Sequence, residues 1–319
     1  MKRCLICGLP LESNELSYHA KCTRSLFHSS AIPVFNYSQS ELNELAKAII
    51  QQRISVPGVQ PKLSLHLERG GSESQGRLTL VGLEGNYILK PQTPQWPHLP
   101  EAEHFAMLLA RLCKISTAEF ALIALKSGEL AYISRRMDRT KDGPLHMEDF
   151  CQLSNKMTSQ KYHGSMEQVG KALRKYSNLP GLDAVRLFEL TVFCYLIGNS
   201  DMHLKNFSLL RQKNGQYTLS PAYDLVPVNI ILPADKEEMA LSICGKKNNL
   251  KKSDFVSFSE NLGLTTAQQE KTLARLLAYA EKYFPAALQR SFLPLKMQKE
   301  CQDLFQSRLS RIVRRGRSA

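Results

Sequence analysis

An apolar run that ends in a polar loop constrains this chain more than any other feature. Residues Leu187–Gly198 carry a single charge, Glu189, which predicts a buried helix. The residues that follow at once, Asn199–Asn206, hold one carboxylate, one imidazole, one ammonium and two amides. A fold that accommodates this chain must therefore bury the helix and keep a set of polar groups together at its end.

These polar groups match the needs of phosphoryl transfer from Mg-ATP. Asp201 is predicted to orient the attacking hydroxyl as the base, and Lys205 to neutralise the γ-phosphate. Asn206 and Asp224, which follows a short predicted hairpin, would supply oxygen ligands to magnesium. His203 would either support the loop or contact nucleotide. The alternative for the two aspartates and the asparagine is a structural role in capping the loop.

The order of the predicted elements indicates the fold class. Five strands are predicted first: Leu63–Leu67, Leu78–Leu83, Asn86–Lys90, Phe120–Leu125 and Leu130–Ser134. Later segments are mostly helical: Glu148–Asn155, Ser165–Tyr176, Asp183–Gly198, Thr266–Phe284 and Lys299–Arg315. We therefore predict an α+β, bilobal protein-kinase-like fold that binds ATP between its lobes. A small Cys/His-rich segment (1–30) precedes a strand-rich N-lobe (31–140) and a helical C-lobe (141–319).

The predicted N-lobe contains a candidate phosphate-binding lysine. Lys90 ends a strand, from which it can reach the phosphates of ATP, and a helix with two glutamates follows. Of the two glutamates, Glu103 and not Glu101 is predicted to pair with Lys90. The alternative for both is that they only compensate the dipole at the helix N-terminus. The loop Ser55–Lys62 could cover the phosphates, but with one glycine and two prolines it could equally be a plain turn.

Four of the first 22 residues have the spacing of metal ligands. Cys4 and Cys7 form one pair, and His19 and Cys22 form a second pair that is separated from the first by eleven residues. Both spacings suit a tetrahedral structural zinc ion, Zn2+. The alternative is three free thiols and a surface histidine.

Composition and charge exclude some classes of protein. The hydrophobic fraction of 43% and charged fraction of 22% are those of a globular protein, and no apolar run is long enough for a membrane span. No secretory signal is evident, so a cytoplasmic location is expected. Residues 151–319 carry 25 Lys and Arg against 14 Asp and Glu, a net charge of +11, whereas residues 1–150 carry 17 against 15. The basic half could attract nucleic acid or an acidic protein, or could simply aid solubility.

The end of the chain has an apolar helical face and several arginines. Cys301, Phe305 and Ile312 belong to the apolar face, and Arg308, Arg311 and Arg315 to another. The arginines could form a ridge that binds a partner or nucleic acid. They could equally be a solvated helix end that favours cations.

With these residues in view, the chain resembles the HipA family of bacterial toxin Ser/Thr kinases. Five segments carry the resemblance: Ser55–Lys62, Tyr87–Pro91, Glu148–Gln152, Ser242–Lys246, and the stretch from Asn199 to Asn206 with Tyr223-Asp224. The last of these is the most specific. The early position of the Ser55–Lys62 loop is similar to the short HipT branch of the family.

The resemblance implies roles for residues that the pattern alone leaves open. It implies that Asp201 is the catalytic aspartate, that Asn206 and Asp224 bind magnesium, and that Ser55 is autophosphorylated. It also implies that nucleotide is contacted by Pro57, Gly58, Val59, Gln60, Pro61, Lys62, Lys90, Arg135, Arg136, Met137, His203, Leu204, Lys205, Asn206, Tyr223 and Asp224.

The same resemblance implies partners. These are a HipS-like small protein and a HipB-like DNA-binding antitoxin, through which the chain would reach DNA indirectly, and an aminoacyl-tRNA synthetase of the tryptophanyl or glutamyl type as substrate. Two other functions stay open at this point. One is a small-molecule kinase of the sugar or aminoglycoside type, and the other is a DNA-binding co-repressor module without catalysis.

Overall fold

A computed structural model of the chain describes residues 2–52, 60–68, 76–82 and 84–313, with 48–52 as backbone only. The chain divides into two compact units. The first comprises Met1–Phe105, Ala118–Met137 and Arg290–Phe292, and the second comprises Ala106–Thr117, Asp138–Gln289 and Leu293–Ala319. We call them the strand unit and the helical unit. None of the described helices is both long and apolar enough to cross a bilayer.

The strand unit is built on an antiparallel sheet with strand order β2-β1-β3-β5-β4. Its strands are β1 (Leu63–Glu68), β2 (Arg77–Val81), β3 (Tyr87–Lys90), β4 (Phe120–Ala124) and β5 (Leu130–Arg135). Helices α1 (Ala20–Phe27), α2 (Gln39–Gln52) and the start of α3 (Leu99–Leu112) complete it. Leu63, Leu65 and Leu89 alternate with more exposed neighbours along β1 and β3, and they fill the core on one face of the sheet.

The helical unit also contains small sheets. A three-stranded sheet has the order β10-β9-β8, and β6 and β7 form a separate hairpin. The strands are β6 (Arg139–Thr140), β7 (Gly143–Pro144), β8 (Met147–Asp149), β9 (Ser208–Arg211) and β10 (Tyr217–Leu219). The helices are α4 (Phe150–Leu153), α5 (Met166–Tyr176), α6 (Pro180–Ile197), α7 (Val228–Ile231), α8 (Lys252–Asn261), α9 (Thr266–Arg290) and α10 (Leu295–Val313).

Three local differences from the predicted elements have physical causes. The predicted helix Glu148–Asn155 is a strand followed by a short helix, because Asp149 caps the helix by accepting from the backbone N–H of Gln152. Helix α9 continues past Pro285 to Arg290, where buried Ala287 and Leu288 hold its last turns in the core. Helix α8 escapes prediction, although its buried residues Phe255 and Phe258 stand at helical spacing.

Candidate functional site

Helix α6 carries the polar loop at its C-terminal end. The helix is buried along nearly its whole length, as its apolar sequence requires. Gly198 ends it with a φ of +78°, and its N–H bonds to the carbonyls of Cys194 and Tyr195. A Cβ at this position would lie 2.4 Å from Cδ2 of Leu304 in α10. The left-handed backbone and this close approach both favour glycine, so the loop leaves the helix in one direction.

The loop from Asn199 to Asn206 is held by its own polar groups. The carbonyl of Asp201 accepts from the N–H of His203 at 2.8 Å and from Nδ2 of Asn206 at 2.9 Å. The N–H of Asp201 bonds to Oδ1 of Asn199 at 3.3 Å. These bonds fix the Asp201 backbone within the loop. They involve its main chain and not its carboxylate.

The carboxylate of Asp201 is half-buried and meets a tyrosine. The Tyr162 hydroxyl donates to Oδ1 of Asp201 at 2.5 Å. Burial, with the neighbouring Asp201 carboxylate as a smaller cause, raises the pKa of Tyr162 well above its ordinary value. Tyr162 therefore keeps its proton at neutral pH.

Lys205 is paired with a carboxylate from another part of the unit. Its Nζ lies 2.6 Å from Oδ2 of Asp149, and the side chains are 34% and 14% exposed. Asp149 uses its other oxygen to cap α4. The ammonium is thus held at the loop while part of it stays in contact with solvent.

Tyr223 connects the loop to Asp224. The Tyr223 hydroxyl donates to the carbonyl of Lys205 at 2.9 Å, and it lies 2.5 Å from Oγ of Ser208. Asp224 follows with a φ of +59°, a left-handed conformation that is uncommon for aspartate. Backbone strain of this kind concentrates at functional sites. The hydrogen bond from the Tyr223 hydroxyl to the carbonyl of Lys205 therefore joins the segment of Asp201 and Asn206 to the segment of Asp224.

His203 is buried beside two carboxylates. Burial lowers its pKa, and the charges of Asp201 and Asp224 partly oppose that shift. Its ring makes an edge contact with the Tyr162 ring at 5.0 Å between centroids. Nδ1 has no hydrogen-bond partner among the described residues. His203 is therefore neutral at physiological pH and packs against the residue that contacts the Asp201 carboxylate.

The strand unit contains the predicted lysine pair. Nζ of Lys90 lies 2.6 and 2.8 Å from the two carboxylate oxygens of Glu103, and the side chains are 5% and 1% exposed. Nζ also lies 5.4 Å from the ring centre of Tyr132, which faces Lys90 across β3 and β5. Glu101, the other candidate, instead accepts from the Gln92 side chain.

The other residues expected to contact nucleotide differ in their burial and in their hydrogen-bond partners. Gln60 donates from its amide to the carbonyl of Pro91, Pro61 is half-buried, and Lys62 is exposed. Arg135 contacts His28 in the strand unit, and Arg136 bonds through its N–H to the carbonyl of Asn86. Met137 is half-buried, and the Leu204 side chain is buried. Ser55, Pro57, Gly58 and Val59 lie outside the described residues.

Sequence reasoning missed several residues that hold the site together. Tyr162 carried no signal, and Asp149 was noted only as part of the segment Glu148–Gln152 that resembles the HipA family, although its Asp-x-x-Gln pattern also predicts a helix cap. Arg308 is another. It was expected on a basic outer face, yet it is 3% exposed and donates to the carbonyl of Tyr195 and to Oδ1 of Asn229.

Arg308 belongs to a chain of hydrogen bonds that reaches the loop. Asn229 donates from Nδ2 to the Ser200 hydroxyl at 3.3 Å, and Ser200 donates to Asp235 at 2.6 Å. The neighbouring Arg311 pairs with Glu238 at 2.6 Å. Arg308 and Arg311 therefore make contacts within the helical unit. Arg315 lies outside the described residues.

Residues 54–284 match the family model described as the HipA-like C-terminal domain. The chain belongs to this family. A Haemophilus influenzae protein named "Putative kinase" is 29% identical over 92% of this chain and 92% of its own length. Another protein of that description, Y4dM of Sinorhizobium fredii, is 32% identical over 72% of this chain. The Ser/Thr-protein kinase toxin HipA of Shewanella oneidensis is 26% identical over 66% of this chain. The chain spans 60% of the S. fredii relative and 52% of the S. oneidensis relative.

Solved structures with the same fold include two kinases. S. oneidensis HipA, solved with HipB and operator DNA, matches with a TM-score of 0.66 and 21% identity, over 83% of this chain and 70% of that one. The Helicobacter pylori proinflammatory kinase CtkA matches with a TM-score of 0.54 and 16% identity, over 77% of this chain and 93% of its own. The predicted α+β, kinase-like fold and the membership of the HipA family are confirmed.

Proposed function

We propose that this HipA-family chain is a protein Ser/Thr kinase that transfers phosphate from ATP. The observation that carries the proposal is the hydrogen bond from the Tyr223 hydroxyl to the carbonyl of Lys205. It joins the segment of the predicted base to the segment of Asp224, two parts of the chain that phosphoryl transfer needs together. Family membership and the kinase names of the relatives support the same conclusion.

Each polar group of the loop has a role in this proposal. Asp201 accepts a hydrogen bond from the substrate hydroxyl and receives its proton as the bond from that oxygen to the γ-phosphorus of ATP forms and the bond from the γ-phosphorus to the departing ADP oxygen breaks. The contact with Tyr162 supports this role, because the Asp201 carboxylate already accepts from one hydroxyl. Lys205 exchanges part of its interaction with Asp149 for the transferred phosphate, for which its 34% exposure leaves room.

The residues of the loop fit a magnesium ion. Asn206 donates a hydrogen bond from its side-chain amide to the carbonyl of Asp201, so the side-chain oxygen of Asn206 is the atom that can bind the ion. Asp224 offers a carboxylate from a strained backbone. These hard oxygen ligands suit magnesium, which would neutralise charge on the phosphates when bound. Asn206 and Asp224 would hold the ion, and the Asn206 backbone is already fixed by the bond from its N–H to the carbonyl of His203.

The strand unit contributes the second cation of the proposal. Lys90 would bind the α- and β-phosphates, and Glu103 would hold its ammonium in place. The loop that contains Pro57 to Lys62 would cover the phosphates. Arg135, Arg136, Met137, His203, Leu204 and Tyr223 remain proposed nucleotide contacts.

The proposed substrate and partners rest on the resemblance to the family. We propose that the chain acts as the toxin of a bacterial toxin–antitoxin system and phosphorylates a serine of an aminoacyl-tRNA synthetase. A HipS-like protein and a HipB-like antitoxin are its proposed partners. The S. oneidensis HipA structure, which contains HipB and operator DNA, supports an antitoxin partner and an indirect route to DNA.

The test of kinase activity compares two aspartate variants. Asp201→Asn should reduce transfer of labelled phosphate from ATP to protein in a bacterial lysate by at least about 100-fold. Asp142→Asn is the matched control, because Asp142 is an exposed partner of Lys213 in the same unit and should leave transfer unchanged. Full transfer by Asp201→Asn would refute the proposal. Label found on a metabolite and not on protein would favour the small-molecule kinase.

A second experiment addresses the proposed autophosphorylation of Ser55. Phosphate there would add about two negative charges beside the phosphates of ATP and so weaken ATP binding. Ser55→Asp should therefore transfer much less phosphate than Ser55→Ala. Equal activity of the two variants would remove this mechanism while leaving the kinase proposal intact.

A further inference from the structure

We infer that the N-terminal segment binds a structural zinc ion through Cys4, Cys7, His19 and Cys22, and that the ion forms part of the core of the strand unit. One ligand atom from each residue lies within 4.8 Å of those of the other three. None of the four residues belongs to the proposed kinase site. The inference therefore stands independently of the proposed function.

The backbone presents the first two thiols in a tight turn. The N–H of Gly8 donates to the carbonyl of Cys4 at 2.8 Å, and the N–H of Cys4 donates to the carbonyl of Leu9 at 2.8 Å. Gly8 has a φ of +70°, and a Cβ there would lie 2.2 Å from the Arg290 carbonyl oxygen. Only glycine fits this position, which closes the turn around Cys4 and Cys7.

Helix α1 presents the other two ligands. His19 is the N-cap residue, and Cys22 is in the first turn, with its N–H 2.9 Å from the carbonyl of His19. Nε2 of His19 lies 2.9 Å from the carbonyl of Pro10, which can only accept a hydrogen bond. Nε2 therefore carries the proton, and Nδ1 is the metal-binding nitrogen.

The distances around Nδ1 fit a tetrahedral ion. Nδ1 of His19 lies 3.3 Å from Sγ of Cys7 and 3.8 Å from Sγ of Cys22. Bonds of zinc to sulfur and nitrogen at their usual lengths give a tetrahedral sulfur-to-nitrogen edge of about 3.5 Å. Three thiolates and one imidazole in a tetrahedral arrangement are a donor set typical of structural zinc sites, and four protein ligands close the site to catalysis.

The cluster is continuous with the core that supports the sheet. Buried Cys4 and Cys22 share one hydrophobic cluster with residues of β1, β3, β4 and β5. The N–H of Leu122 in β4 donates to the carbonyl of Leu5, and Tyr18 donates to the carbonyl of Leu122, each at 2.8 Å. A zinc ion at the cluster would therefore hold the N-terminal segment against the sheet.

One contact connects the cluster to the buried lysine pair. The carbonyl of Ile6, between Cys4 and Cys7, lies 2.9 Å from Nε2 of His104, which is 0% exposed. His104 is the neighbour of Glu103 in α3. Loss of the ion should thus loosen the part of α3 that holds Glu103 against Lys90.

Metal analysis of the purified full chain tests the inference. The wild-type chain and Cys244→Ser should each contain about one zinc ion. Cys244 is the matched control because it is an exposed residue that is remote from the cluster in sequence. Cys7→Ser should bind zinc more than about tenfold more weakly in competition with a chelator. A wild-type chain that takes up no zinc under reducing conditions, or unchanged affinity in Cys7→Ser, would overturn the inference.

Cobalt substitution provides a test that does not depend on the folding of Cys7→Ser. Co2+ added to the metal-free wild-type chain should give the strong visible absorption of a tetrahedral thiolate site. His19→Cys, which keeps four ligands, should retain this absorption, whereas His19→Ala should lose most of it. Weak absorption typical of octahedral cobalt in the wild-type chain would contradict the proposed site.

Discussion

Each unit of the molecule contains a lysine–carboxylate ion pair. The two pairs have the same nitrogen-to-oxygen distance but differ in how far their side chains are buried. Lys90 and Glu103 in the strand unit are separated by 2.6 Å, as are Lys205 and Asp149 in the helical unit. The first pair is almost completely buried, whereas Lys205 is 34% exposed. Distance alone therefore says little about what a pair contributes, because the cost of removing charge from water differs between the two.

The contrast suits the different tasks proposed for the two lysines. A buried pair is rigid, since separating it would leave charge in a medium of low polarity. Lys90 can then act as a fixed cation. A lysine whose side chain stays partly in water exchanges partners more readily, because leaving its carboxylate does not strand the ammonium in a medium of low polarity. Lys205 can then move from Asp149 to a phosphate and return.

The largest expected effect comes from removing one partner of the buried pair. Lys90→Met leaves the Glu103 carboxylate buried without its ammonium, which should lower the free energy of unfolding by about 3 to 5 kcal/mol. Denaturant unfolding of the purified variant measures this loss. The double variant Lys90→Met with Glu103→Leu should recover most of the stability, because no charge is then left buried. A single variant as stable as the wild type would break the comparison.

A variant at Arg308 tests whether the loss of stability depends on the burial of the removed cation or on the unit in which it lies. It is a buried cation like Lys90, but it lies in the helical unit and bonds to a carbonyl and an amide. Burial lowers its pKa. Arg308→Met removes both bonds and should cost about 2 kcal/mol in the free energy of unfolding.

The control for Arg308 is on the same helix. Ser310→Ala alters an exposed residue of α10 whose hydroxyl bonds only to the carbonyl of Ser307 among its described contacts, and it should change stability little. Equal losses for the two variants would show that burial of the guanidinium does not govern the stability of the helical unit.

The partly exposed pair of Lys205 and Asp149 should contribute less to the free energy of unfolding. Lys205→Ala should lower the free energy of unfolding by about 1 kcal/mol or less, and added salt should shrink the difference further. Lys213→Ala is a matched comparison, because Lys213 pairs with Asp142 at 2.7 Å with both side chains well exposed. If Lys205→Ala unfolded the chain as severely as Lys90→Met, the proposed exchange of Lys205 between carboxylate and phosphate would be untenable.

The smallest expected effect is a pH dependence due to His203. Burial lowers its pKa from the ordinary 6.5, so the unfolded chain takes up a proton that the folded chain takes up only at lower pH. Stability should therefore fall as the pH decreases below 6.5. His203→Gln should reduce this dependence, by about 0.5 kcal/mol or less between about pH 7 and about pH 6. An identical pH profile for both proteins would show that His203 titrates as it does in water.

Much of the site could be predicted from the sequence because its groups are close along the chain. Asp201, Lys205 and Asn206 stand within one loop, and Lys90 is followed thirteen residues later by Glu103. Local spacing was also sufficient to propose the Cys4, Cys7, His19 and Cys22 cluster. In each case the pattern of residue types limits the chemistry before any packing is known.

The partners of these groups could not be predicted in the same way. Asp149 is 56 residues from Lys205, and Tyr162 is 39 residues from Asp201. Asn229 and Arg308 are 79 residues apart. Nothing local specifies such pairs, since they depend on how α4, α7 and α10 pack in the helical unit. The same packing turned an arginine expected on an outer face into a buried donor.

The sequence by itself determined which reactive groups occur together and at what spacing, because a loop or a turn keeps neighbours along the chain within reach of one another. Only the tertiary structure decided which of these charges lose contact with water. Lys90 and Lys205 are equivalent side chains in sequence, and surroundings contributed by other segments buried one of them and left the other 34% exposed. Burial is a property of the whole fold, and it sets what each charge can do.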